Sequence, residues 1–147
     1  VKPILPSIVK DSERLLVDVT AAAARFPKAH KYQLGQDLRG WALECFLLSQ
    51  EAWRASREPT RQVAVLTNLA ASNDKLKAGL QVGYKLHCFP SLGAFEVLAT
   101  QARNVGKQCG AMHKKIKPHL NGQSSPASAP SKRPETLSTP SAHEAQR

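Results

Sequence analysis

Arg103, Lys107, Gly110, Lys114 and Lys117 recur at intervals of four, three, four and three. On a helix turning about 100° per residue, they fall within a stripe roughly 80° wide. Four of the five are cations. The fifth has no side chain, so a polymer backbone can approach closely there. A row of cations along ~20 Å of helix suits a phosphodiester chain, because each neutralised phosphate releases a condensed counterion. The ordinary alternative is a solvated helix face. Such faces usually mix signs, whereas here the nearest acid is Glu96, ahead of the stripe.

The charge balance supports the same chemistry. The 147 residues hold 21 Lys and Arg against 11 Asp and Glu, a formal charge of +10. Such a surplus speaks to partners rather than to fold. It favours polyanions: nucleic acid first, an acidic protein or membrane surface second. The surplus is uneven. Residues 1–27 carry four basic and three acidic residues, and residues 28–58 carry five and four. Residues 60–88 carry Arg61, Lys75, Lys77 and Lys85 against Asp74 alone. Residues 91–117 carry Arg103, Lys107, Lys114, Lys115 and Lys117 against Glu96 alone. Aromatic residues are 5% of the chain, which argues against base stacking as the main mode of recognition. Tyr32, Tyr84 and the two Trp are the candidate stacking groups. With no RRM, KH, zinc-finger or helix-turn-helix signature, contact should be mostly with phosphates and weakly sequence-specific.

Other chemistry finds little support. Glu44 and Glu51 lie two turns apart with no Glu-x-x-His motif to build a di-iron bundle. Cys109 and His113 have i, i+4 spacing and His87-Cys88 are adjacent, but an up-and-down bundle puts these pairs at opposite ends, too far apart for one metal. There is no P-loop, GxSxG or Rossmann pattern. The expectation is a non-enzyme with no cofactor and no metal. Cys45, Cys88 and Cys109 form no CxxC pair and lie in apolar helical patterns. They read as reduced, buried thiols in a cytoplasmic protein. The opening residues do not read as a signal peptide, and no apolar run is long enough to span a membrane.

The elements that must carry these groups are helices. Phe26-Pro27, Glu58-Pro59 and Phe89-Pro90 mark the expected boundaries, since a proline disfavours α conformation in the residue before it. Four helices follow, over about 6–25, 28–57, 60–88 and 91–117. The first buries Ile8, Leu15, Val19, Ala22 and Phe26. The second buries Leu34, Leu38, Trp41, Cys45, Leu48 and Ala52, alternating by four and three as a bundle seam does. The third seam is Leu66, Leu69, Asn73, Leu76, Leu80 and Gly83. The fourth is Phe95, Leu98, Ala102, Val105, Cys109, Met112 and Ile116, with Ser91 as its N-cap. Short connections make neighbours antiparallel. The fold class is therefore all-α, an antiparallel up-and-down four-helix bundle over residues 1–120. Residues 121–147 hold six Ser, four Pro, one Leu and no aromatics, and read as a disordered Pro/Ser-rich tail.

Two features complicate a simple bundle. The second helix carries Leu43, Phe46, Leu47 and Trp53 away from its main seam. Either it is central in the monomer, or these four residues form an interface with another subunit. Asn73 is polar within an apolar seam, either a satisfied core amide or a selector of register.

Phe26-Pro27-Lys28, then Leu34-Gly35, then a long helix ending near Ala52, resembles the start of helix 2 in a family of small four-helix bundles. The family includes the accessory variability determinant (Avd) of diversity-generating retroelements and proteins encoded in 23S ribosomal RNA intervening sequences. Leu69 to Asp74, with Leu76 and Leu80, is similar to its third helix. Val105-Gly106-Lys107 with Gly110 is similar to its late glycine signature. The resemblance spans about residues 8–116. It implies a homopentameric barrel with a basic surface that binds nucleic acid and associates with a reverse transcriptase. The bound species would be template RNA, with DNA as second candidate. By position, Lys77 and Lys85 match the family's basic residues of helix 3. Gln81 stands where a basic residue is common, and Met112-His113 replace a late tryptophan. The alternative is a protein-interaction module, or an intervening-sequence protein, without a reverse-transcriptase partner.

Overall fold

The computed structural model describes residues 6–123, with side chains as far as Ile116. Among the described residues the regular secondary structure is all helical, in five helices: α1 (Ser7–Ala24), α2 (Lys28–Lys31), α3 (Leu34–Arg54), α4 (Pro59–Lys85) and α5 (Leu92–Gln123). Four are long, and α2 is a single turn. The long helices close a ring: α1 packs on α3 and α5, and α4 packs on α3 and α5.

The proline boundaries fall where the sequence puts them. α1 ends before Phe26-Pro27, and Pro59 occupies the first turn of α4, where its missing N–H costs nothing. The helix expected over 28–57 is corrected. It breaks at Tyr32-Gln33 into α2 and α3. The break lets α3 begin against α1: a Cβ on Gly35 would stand 3.5 Å from the Ala23 Cβ. At its far end, α4 stops in a Schellman motif. The Cys88 N–H donates to the Gly83 carbonyl at 2.9 Å and the His87 N–H to the Tyr84 carbonyl at 3.0 Å. His87 takes the left-handed conformation (φ 61°) that glycine usually fills there. Ser91 caps α5 as expected, accepting from the Ala94 N–H at 3.1 Å. α5 then runs past the expected end at 117, so residues 121–123, assigned to the tail, belong to the helix. The rest of the expected tail, 124–147, lies outside the described residues.

The core is the predicted seam set with a few additions. Ile8, Leu15, Val19, Leu38, Cys45, Leu66, Leu69, Leu76, Leu80, Leu98, Ala102, Val105 and Cys109 are all buried. Val9, Ala42 and Val65 join them. Leu34, Trp41, Leu48, Phe95, Met112 and Ile116 are half-buried at its margin. Polar side chains fix the register between helices. Gln62 donates to the Ala52 carbonyl at 2.9 Å and Asn73 to the Ala102 carbonyl at 2.9 Å. Cys109 donates to the Leu66 carbonyl at 3.2 Å. Along α4 and α5, contacts run in opposite order: Tyr84 meets Phe95, Asn73 meets Ala102 and Leu66 meets Cys109. These two helices are therefore antiparallel. Between α3 and α4 the order is likewise reversed, with Gln62 on Ala52, Ser72 on Glu44, and Gly79 against Trp41 and Leu38.

Candidate nucleic-acid interface

Two concavities lie side by side between α4 and α5. One, of about 340 Å³, is lined by Lys77, Ala78 and Gln81 of α4 and by Phe95, Ala99 and Arg103 of α5. The other, of about 350 Å³, is lined by Ala70, Asn73, Asp74 and Lys77 facing Arg103, Gly106 and Lys107. Lys77 and Arg103 belong to both, so the two form one continuous groove with cations on each wall. The sequence places these residues by helical phase. Lys77 and Gln81 are one turn apart on α4, as are Ala99, Arg103 and Lys107 on α5.

The state of these cations depends on where the carboxylates go. Four of the six on α1 and α3 are engaged elsewhere, while Glu13 and Asp37 have no ion pair or side-chain hydrogen bond among the described residues. Asp11 and Asp18 accept from Gln108 and Gln101 of α5. Glu44 accepts from Ser72. Glu51 and Glu58 pair with Arg61 at 3.5 and 3.2 Å. At the groove the one ion pair is Lys77 with Asp74, at 3.5 Å and exposed, a contact worth ~0–1 kcal/mol. Among the described residues, Arg103, Lys107, Lys114, Lys115, Lys75 and Lys85 have no ion pair. Arg103 is oriented instead by a hydrogen bond to the Thr100 hydroxyl, 3.0 Å. Neutral amides of α5 thus meet the acids of α1, while the cations of α5 face outward.

The seven basic residues singled out from sequence do not all converge. Lys77, Arg103 and Lys107 line the groove. Lys114 is exposed on the same stripe, roughly 10 Å further along α5. Lys115 is exposed but lies about 100° round the helix from Lys114. Lys85 is exposed at the end of α4 and lines neither half of the groove. Lys117 lies on α5, and its side chain is outside the described residues. The proposed subunit face also divides. Phe46 and Trp53 pack against the core, whereas Leu43 and Leu47 are 45% and 51% exposed.

Two features of the groove involve residues that the sequence singled out or placed in the core without linking them to the basic stripe. The first is an aromatic cluster at its end. Tyr84 stacks on Phe95 with centroids 4.9 Å apart and planes at 25°. Phe89 lies 5.8 Å from Phe95 and 5.3 Å from Phe26. Tyr84, Phe89 and Phe95 straddle a single helix–helix turn, and that closeness in sequence was the available signal. The second is Asn73, 1% exposed, beneath Gly106. A Cβ at Gly106 would stand 3.1 Å from the Asn73 Nδ2. The Asn73 Oδ1 has no hydrogen-bond partner among the described residues.

The thiols give no sign of nucleophilic chemistry. Burial, with Glu44 and Cys109 adding to it, pushes the Cys45 thiol up to about 12. Burial also raises Cys88, and raises Cys109 against a backbone hydrogen bond from Ala70. All three are free and buried. Among the described residues no group of three His, Cys, Asp or Glu is placed to hold a metal, and no helix is long and apolar enough to cross a membrane. No protein-family model matches the chain, and no curated protein matches it.

Proposed function

We propose that this chain is a non-catalytic, cytoplasmic nucleic-acid-binding protein that holds the phosphate backbone of RNA along its α4–α5 face. Its architecture on this reading is an antiparallel up-and-down four-helix bundle with α2 as a one-turn insertion. The observation that carries the reading is the groove itself. Lys77, Arg103 and Lys107 converge on it from two helices, Lys114 extends the row, and four of the six carboxylates of α1 and α3 are turned to other partners. Cations left without counter-charges form a surface potential that attracts polyanions and raises their encounter rate.

The resemblance to the Avd family supplies the biological setting: an accessory subunit of a reverse transcriptase, binding template RNA during mutagenic copying. Of the Val105-Gly106-Lys107 signature of that resemblance, Gly106 and Lys107 line the groove and Val105 lies in the core beneath them. Leu43 and Leu47, apolar and exposed on α3, are the surface we assign to contact with further copies of the chain. The reading is tested by electrophoretic shift of structured RNA at low salt. A Lys107→Glu/Lys114→Glu variant with unchanged helical circular dichroism should bind about tenfold or more weakly, because two phosphate contacts become repulsions. Undiminished binding would remove the α4–α5 face from RNA recognition. Binding of an acidic protein without binding of RNA would favour the interaction-module alternative.

A further inference from the structure

We propose that the end of the groove nearest Phe95 takes a single unpaired nucleotide, its base against the Phe95 ring and its flanking phosphates on Lys77 and Arg103. The face would then select single-stranded over duplex nucleic acid. This inference rests on the nucleic-acid reading of the face and sharpens it.

Phosphate binding alone needs only surface cations, and a stripe on one helix would serve. What the molecule has is a cleft between two helices with cations on both walls and an aromatic ring in its lining. A duplex keeps its bases stacked inside and offers such a surface mainly its sugar–phosphate exterior. An unpaired strand also offers the faces and edges of its bases.

The lining suits a base in three respects. Phe95 is half-buried and backed by two rings, Tyr84 at 4.9 Å and Phe89 at 5.8 Å. Its position is therefore fixed before any ligand arrives, and little rotamer freedom remains to be lost on binding. Ala78 and Ala99 line the same end, and longer side chains at these two positions would fill it. Gln81 is exposed at the rim of the same cavity. Its amide carries both a donor and an acceptor, the pairing an unpaired base edge requires. The volume, about 340 Å³, is at the small end of ligand sites and suits one base rather than a stack of several. Low overall aromatic content does not oppose this, because one fixed ring suffices for one base.

The test compares three labelled twelve-residue probes at one salt concentration: a uridine strand, a duplex of equal length, and an abasic sugar–phosphate strand. Fluorescence anisotropy should show the uridine strand bound about tenfold or more tightly than the abasic strand, the usual scale of one base–aromatic stack. The duplex should also bind more weakly than the uridine strand. Phe95→Leu, which keeps an apolar side chain, should bring the uridine strand down to the abasic level. The abasic comparison uses the wild-type protein and so holds even if that variant fails to fold. Equal binding of all three probes overturns this inference and leaves the phosphate interface standing. Binding of none overturns both.

Discussion

The outer surfaces of α1–α3 and α4–α5 use the same kinds of residue for different ends. On α1 and α3 most of the carboxylates are spent in contacts between elements. Asp11 and Asp18 reach Gln108 and Gln101, Glu44 reaches Ser72, and Glu51 reaches Arg61. Among its exposed polar residues α3 also leaves two leucines in the open, Leu43 and Leu47. On α4 and α5 the seams are closed by neutral groups, such as the Asn73 and Cys109 hydrogen bonds and the aromatic stack. What is left in the open along the groove is mainly positive, although Val82, Tyr84, Leu92 and Val97 are exposed elsewhere on these two helices. Total charge predicts neither outcome. The decisive matter is which charges lie at helix–helix seams, where a neighbour consumes them, and which lie on the free side.

The comparison can be broken at the α3 face first. A Leu43→Glu/Leu47→Glu variant should dissociate any oligomer, giving a several-fold smaller mass in sedimentation equilibrium with RNA affinity per chain changed little. An unaltered mass assigns those two residues to ordinary surface. The next largest effect concerns the contact that joins the two halves. A Cβ at Gly79 would stand 2.6 Å from the Leu38 Cδ2 and 2.8 Å from the Trp41 Cζ3. Gly79→Ala should therefore destabilise the fold by about 1–3 kcal/mol in urea unfolding, the usual cost of overpacking. Gly110 has nothing within 4 Å of the same added atom, so Gly110→Ala should stabilise the helix by about 0.5–1 kcal/mol. Ser91→Ala, which removes the cap of α5, should cost about 1 kcal/mol.

The thiols provide a smaller test that bears on both halves. Cys45 of α3 and Cys109 of α5 are held protonated by burial. Their folded pKa values lie above the unfolded ones, so the stability they confer is complete below about pH 8.5 and declines as the pH rises beyond it. Alkylation at pH 8 should be slow in the native protein and rapid in urea. Fast native labelling of either would show that the core opens.

The helices were legible because their evidence is local. Pro27 and Pro59 punctuate the chain, Ser91 caps, and apolar spacing by three and four marks the faces that became core. The break at Tyr32-Gln33 was not legible, since no proline or glycine stands at it and the start of α3 is packed near Ala23, a residue on another helix. The same limit applies to the groove. Phase along α5 grouped Arg103, Lys107 and Lys114. It could not show that Lys77 faces them across a cleft while Lys85 stays outside it, because that depends on the α4–α5 register. That register is set by Asn73 on Ala102 and Cys109 on Leu66. In the sequence Phe95 reads only as core, since the role proposed for its ring depends on Tyr84 and Phe89 behind it.

On the proposed reading Lys77, Arg103 and Lys107 together neutralise phosphates. The most direct measurement is the salt dependence of single-stranded RNA affinity in the wild type and in a Lys77→Gln/Arg103→Gln/Lys107→Gln variant. Each lost contact removes about 0.7 from the slope of log K against log salt, so the variant's line should be shallower by about 2. Parallel lines for the two proteins would place the bound phosphates somewhere else on the molecule.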